Sequence, residues 1–250
     1  MKKLIAAAML ISLFSPMAVL ADSVIGSAGA GWQTWSTGAL SQTGTPYWNG
    51  NSTDGSNMGI GYCISGTGNC GMAGAPGVIP YWGNADGSAD PNITFATHGA
   101  VVATFELGIG WYTRDGSNTF GYSDLSGNHA LFSGVQTGGA TVAFTPNGSY
   151  SFFLISGDGF TYNTDSALSS MYAGTSVQHF AIFTAGGGSY YIGAEDEGDQ
   201  WWKGDNDYND FVVKISSTPE PSSLVLLAAG VLAMISRRRP SASRNAKKPV

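Results

Sequence analysis

The chain has 250 residues, of which 36 are glycine, 12% are aromatic and 11% are charged, and its net charge is −6. That composition excludes a disordered chain, which goes with high charge and few aromatics, and it points to an all-β protein rich in turns. Between Asp22 and Thr218 there are 16 acidic residues against Arg114, Lys203 and Lys214, a net charge of about −13 that excludes nucleic acid as a partner, because binding phosphate takes clustered Lys and Arg.

Residues 1–21 read as a secretory signal. Lys2 and Lys3 form a basic start, Leu4 to Phe14 an apolar run, and Val19, Leu20 and Ala21 a cleavage site. Cleavage is expected before Asp22. A short membrane anchor is the competing reading, but Ser12, Ser15 and Pro16 interrupt a run already too short to span.

Residues 22–218 are expected to form one domain. Its N-terminal part, to residue 100, is rich in Gly, Asn and Trp. Trp32 and Trp35 bracket a stretch that alternates like an edge strand. Pro46-Tyr47-Trp48 and Pro80-Tyr81-Trp82 are similar pieces, readable as an internal repeat or as aromatics packed at turns. Cys63 and Cys70 are the only cysteines. In an exported chain they read as a disulfide closing a short loop, worth about 2–3 kcal/mol.

From residue 101 the strand signal strengthens. Val101 to Leu107 alternates, with Val101, Ala103, Phe105 and Leu107 expected on one face. Further strands are expected over 119–123, 140–145, 150–156, 178–184, 189–193 and 210–216, divided by turn clusters. Pro146-Asn147-Gly148, between two apolar runs, reads as the clearest hairpin. Short strands at regular spacing predict two packed antiparallel sheets, a jelly-roll-like β-sandwich.

The stretch from Glu195 to Asp210, EDEGDQWWKGDNDYND, concentrates seven carboxylates around the single cation Lys203. Like charges packed this closely repel and raise each other's pKa. A hard divalent cation relieves that repulsion, and calcium takes six to eight oxygens. Asp205, Asp207 and Asn209 stand in the phase that opens an EF-hand loop, but Asp210 and Ser216 occupy the positions that loop needs as Gly and Glu. The alternative is a solvated acidic turn.

The residues YYIGAED at 190–196 and GDNDYNDFVV at 204–213 resemble the GxED … GDxDYNDxVV signature that closes a group of exported bacterial β-sandwich domains, many with PEP-CTERM sorting tails. The segment around Tyr62 and Cys63 also resembles the N-terminal half of that group. The resemblance implies a Ca2+ site, with Glu195, Asp196, Asp205, Asp207, Asn209 and Asp210 as its ligands. Asp199 has no fixed counterpart in the signature.

Pro219, Glu220 and Pro221 precede an apolar run from Leu224 to Ile235 and then Arg237, Arg238 and Arg239. Twelve apolar residues fall short of the roughly 20 that span a bilayer as a helix, and the arginines suit cytoplasmic retention. This pattern resembles a PEP-CTERM sorting signal over 219–239. It implies an exosortase-type protease as partner, a short hydrophobic helix at 222–239 that enters the inner membrane transiently, and cleavage near Pro219 to Pro221. Residues 240–250 form a basic extension that such tails usually lack. A permanent C-terminal anchor is the competing reading.

No nucleophile elbow, phosphate loop or dinucleotide fingerprint is present. The three histidines, His98, His129 and His179, lie far apart in sequence. The expectation is a non-enzyme. One reading is an exported surface or matrix protein with a structural calcium site, associated through the sorting-signal resemblance with exopolysaccharide and biofilm. The other is a carbohydrate-binding module that presents loop tryptophans, chiefly Trp201 and Trp202, with Trp48 and Trp82 in glycine-rich turns.

Overall fold

The computed structural model describes residues 22–27, 30–36, 47–48, 59–66, 70, 78–84, 92–97, 99–108, 117–157, 159–170, 179–196, 207–217 and 230. The signal at 1–21, the sorting tail apart from Gly230, and the 240–250 extension lie outside them. The chain divides into two compact units, Met1–Thr218 and Pro219–Val250. All the described strands belong to the first.

In chain order the elements are β1 (Ser23–Ile25), β2 (Ala30–Ser36), α1 (Ile60–Ser65), β3 (Val78–Asn84), β4 (Thr94–Ala96), β5 (Val101–Leu107), β6 (Thr119–Asp124), β7 (Gly127–Ser133), β8 (Thr141–Phe144), β9 (Ser151–Ile155), β10 (Thr161–Asn163), β11 (Phe180–Gly186), β12 (Ser189–Ala194) and β13 (Phe211–Ser217). A seven-stranded sheet has the order β2-β3-β11-β12-β13-β5-β8, a four-stranded sheet the order β10-β9-β6-β7, and β1 pairs with β4. The pairings are antiparallel. The expected all-β sandwich is therefore what the chain forms.

Alternation along the strands builds two apolar layers. Phe180, Ile182, Phe211 and Val213 face the four-stranded sheet, where Phe120, Phe132, Phe152 and Leu154 meet them. Phe120 stacks on Phe152 at 5.5 Å and on Phe211 at 5.5 Å between ring centroids. The intervening residues Ala181, Phe183 and Val212 point the other way, into a second cluster with Ile60, Ile64, Trp35, Trp48 and Tyr208. The seven-stranded sheet is thus covered on both faces, which explains why β11 and β13 read as nearly continuous apolar runs.

Three expectations are corrected. Pro146-Asn147-Gly148 does not close a hairpin: β8 pairs with β5, while β9 pairs with β6 and β10. The turn instead carries the chain from one sheet to the other. Its Asn147 N–H donates to Asp124 Oδ2 at 2.8 Å, which ties it to the β6–β7 turn. Leu107 does not share a face with Phe105. The register with β13 shifts between Val212 and Val213, so two residues of β5 oppose one step of β13, and the bulge turns Leu107 onto the second cluster.

The third correction concerns the tryptophans. Trp82 lies in strand β3 and pairs with Trp32, whereas Tyr47 and Trp48 form a turn, so the two Pro-Tyr-Trp pieces are not structural equivalents. Trp48 is 0% exposed and Trp82 is buried. Both are core residues and present no ring to a sugar. Trp48 lies so close over Gly61 that a Cβ there would come within 2.0 Å of the indole, so helix α1 needs glycine at that point.

Candidate functional site

β12 and β13 pair from Ser189 opposite Ser216 to Ala194 opposite Phe211. The residues just past that last pair are Glu195 and Asp196 on one strand and Asp210 on the other. Antiparallel pairing therefore brings the two ends of the acidic stretch together. The Asp196 N–H donates to Asp210 Oδ2 at 2.9 Å, and the Tyr208 N–H donates to Glu195 Oε1 at 2.5 Å. Asn209 closes its own turn, donating from its backbone to Asp207 Oδ1 at 3.2 Å and from Nδ2 to Asp207 Oδ2 at 2.8 Å. Glu195, Asp196, Asp207 and Asn209 are buried. Asp205, Glu197, Asp199, Trp201, Trp202 and Lys203 lie outside the described residues.

Tyr208 holds the turn's shape. It is the one non-glycine among the described residues with positive φ, at 55°, a conformation that costs an L-residue energy and persists only where its surroundings enforce it. Its ring is buried in the second cluster, edge-on to Tyr47 at 5.9 Å. Helix α1 abuts the same turn, with the Ile60 N–H donating to the Asp207 carbonyl at 2.7 Å. Cys63 on that helix forms the expected disulfide with Cys70, at a Cα separation of 5.3 Å. The helix that carries Cys63 and the Asp207 end of the acidic stretch, read as separate features in the sequence, are therefore neighbours.

Asn118 is the polar residue that sequence reading missed. It is fully buried, donates from Nδ2 to Asp196 Oδ2 at 2.7 Å, and accepts from the Gly157 N–H at 3.0 Å. In sequence it is one more polar residue in a turn cluster. Only its place ahead of β6, across from the end of β12, gives it a role.

The site is electrostatically loaded. Part of Asp210 reaches the surface, but its carboxyl is drawn against the Asp196 backbone. Burial pushes its pKa well above the usual carboxylate range, the charges of Glu195, Asp196 and Asp207 push it further, and the Asp196 N–H offsets part of the rise. His179 supplies no countercharge. It stacks on Tyr162 at 3.6 Å, its Nδ1 lies 3.3 Å from the Glu195 carbonyl, and burial pushes its pKa down to about 4. With Nδ1 facing an acceptor, the proton sits there, leaving Nε2 buried without a partner. Among the described residues, no group of three or more His, Cys, Asp or Glu side chains is disposed as a metal cluster. The donors that do converge are all oxygens, the kind calcium takes.

The other end of β13 leads into the tail. Residues 217–239 match the PEP-CTERM protein-sorting motif. The PEP-CTERM match begins at Ser217, the last residue of β13, and takes in Pro219, Glu220, Pro221 and Arg237 to Arg239. It supports an exported protein that an exosortase, itself a membrane protein, sorts for display at the cell surface. No curated protein and no solved structure matches the chain. Among the described residues no helix is long and apolar enough to cross a membrane. The apolar run from Leu224 to Ile235, Gly230 apart, is not among those residues.

Proposed function

We propose that this exported chain is a surface or extracellular-matrix protein whose sandwich is locked by calcium at the acidic end of β12 and β13, and that its role is structural or adhesive within exopolysaccharide. The supporting observation is the Asp196–Asp210 contact at 2.9 Å, which brings the two halves of the carboxylate cluster together while Asp210 resists ionisation. Glu195, Asp196, Asp207, Asn209 and Asp210 would supply oxygens, with Asp205 as the remaining expected ligand. A bound cation would neutralise the mutual repulsion and close the end of the sheet where β11, β12 and β13 meet.

The test is thermal melting of the exported chain with excess calcium and then with chelator. A single site at about 100 times its Kd adds roughly 2.7 kcal/mol, which for a domain of this size raises Tm by about 5–10 °C. An unchanged Tm refutes the calcium reading. For the matrix role, the protein is expected to co-sediment with the exopolysaccharide of the cells that display it. Full recovery in the polysaccharide-free supernatant refutes that role.

A further inference from the structure

Asp22, the residue expected to become the amino terminus after leader removal, is only 1% exposed. Chain ends ordinarily fray unless something ties them down, and here three partners do. The Asp22 N–H donates to Ser217 Oγ at 3.0 Å, the Tyr150 hydroxyl donates to its Oδ2 at 2.7 Å, and the Tyr190 hydroxyl donates to its carbonyl. Tyr150 immediately precedes β9, Tyr190 lies in β12 and Ser217 ends β13. The seven-stranded sheet and the residue that leads into β9 thus contribute to one receptor for a single residue.

Hydrolysis of the Ala21–Asp22 amide by a signal peptidase consumes one water. It leaves a carboxylate on Ala21 and an amine on Asp22, and the amine takes a proton at neutral pH. The new group carries three hydrogens where the amide carried one, and Ser217 Oγ already stands within reach as an acceptor. Its charge falls beside the buried Asp22 carboxylate, and a buried charge is tolerated when it is paired and hydrogen-bonded. Ser217 is also the first residue matched by the sorting motif, although 195 positions separate it from Asp22.

We propose that Tyr150, Tyr190 and Ser217 form a receptor for the amino terminus released at Asp22, and that seating it fixes the end of β13 from which the chain continues into the sorting tail. The inference rests on the export reading. Removing the leader would thus leave the new amine in a receptor already formed around Asp22, at the root of the second processing signal.

The test uses the full-length exported chain in detergent, with its first residue established by mass spectrometry. In the folded protein, an amine-selective acylating reagent should label the Asp22 α-amine about tenfold or more slowly than in the unfolded chain, because labelling requires local opening. Ser217→Ala and Tyr150→Phe should each speed that labelling and speed hydrogen exchange at Ser216 and Ser217, with Lys214 labelling unchanged. A chain retained in the cytoplasm with its leader overturns the export reading and this proposal together. A chain exported and cut before Asp22 whose α-amine labels at the unfolded rate overturns the receptor alone. Unchanged exchange at Ser216 and Ser217 in both variants overturns the coupling to β13.

Discussion

The backbone N–H of Asp196 donates to the carboxylate of Asp210 across 2.9 Å. That bond joins the two ends of the acidic stretch through a carboxyl group whose pKa burial holds well above the usual carboxylate range. The contact exists because pairing of β12 with β13 runs out to Ala194, the last residue of β12, opposite Phe211, the first of β13. It makes the site a feature of sheet register as much as of composition.

Ligand substitutions should separate the two roles of the turn. Asp207→Ala and Asp210→Ala are each expected to abolish the calcium-induced rise in Tm, while Asp158→Ala, far from the acidic stretch in sequence, keeps it. In chelator the two differ. Asp207→Ala loses both hydrogen bonds from Asn209 and should cost about 1–2 kcal/mol. Asp210→Ala relieves repulsion and should cost less. Melting curves with and without calcium check both, and equal loss of response in all three variants would mean that the turn is not the site.

Asn118 gives a sharper test, because one atom changes the sign. Asn118→Ala strips the Nδ2 donor from Asp196 and the Oδ1 acceptor from Gly157. The expected loss is about 1–3 kcal/mol with or without calcium. Asn118→Asp puts a carboxylate where that donor was. It should be the less stable of the two in chelator and recover more on adding calcium. Urea titration in both conditions measures the difference.

Gly193 is fixed by close approach. A Cβ there would meet Ile60 Cδ1 at 2.2 Å and the Tyr208 carbonyl at 2.4 Å. Backbone cannot yield as a flexible side chain can, so Gly193→Ala should cost about 1–3 kcal/mol and loosen the turn at Tyr208. Gly31→Ala, with nothing within 4 Å of the new atom, should change stability by only about 0.5 kcal/mol. Paired urea melts of the two variants test the contrast.

The pH dependence follows from His179. Burial lowers its pKa in the folded protein from 6.5 to about 4. Between those values the unfolded chain binds the proton and the folded one does not, so stability falls as the pH drops from 6.5 towards 4. The total attributable to this residue is about 3 kcal/mol. His179→Phe keeps a ring against Tyr162 and removes the titration. Its stability should vary less over this interval than that of the wild type, as denaturant midpoints at successive pH values will show.

Much of the site was legible in the sequence because it is local. Glu195, Asp196, Asp207, Asn209 and Asp210 stand in one short stretch, and the strands on either side read as strands. Asn118 was not legible, since its partner Asp196 lies 78 positions away and Gly157 lies 39 away. The contribution of α1 was equally hidden. A six-residue helix has too few turns to show an apolar period, and its hydrogen bond to Asp207 belongs to the packed state alone.

The sequence by itself determined the all-β class, the strands β5, β6, β8, β9, β11, β12 and β13 to within a residue or two, the Cys63–Cys70 pairing and a sorting motif at 219–239, which the family match covers as 217–239. Each of these follows from composition, short-range periodicity or a contiguous motif. Only the tertiary structure decided that the Pro146–Gly148 turn crosses between sheets, that a bulge reverses Leu107, that Trp48 and Trp82 are core, and that Asp22 bonds to the far end of β13. The physical reason is the same in every case. A turn or an aromatic residue has local preferences that suit several environments, and the partner that selects among them comes from a distant part of the chain, joined by long-range pairing and burial.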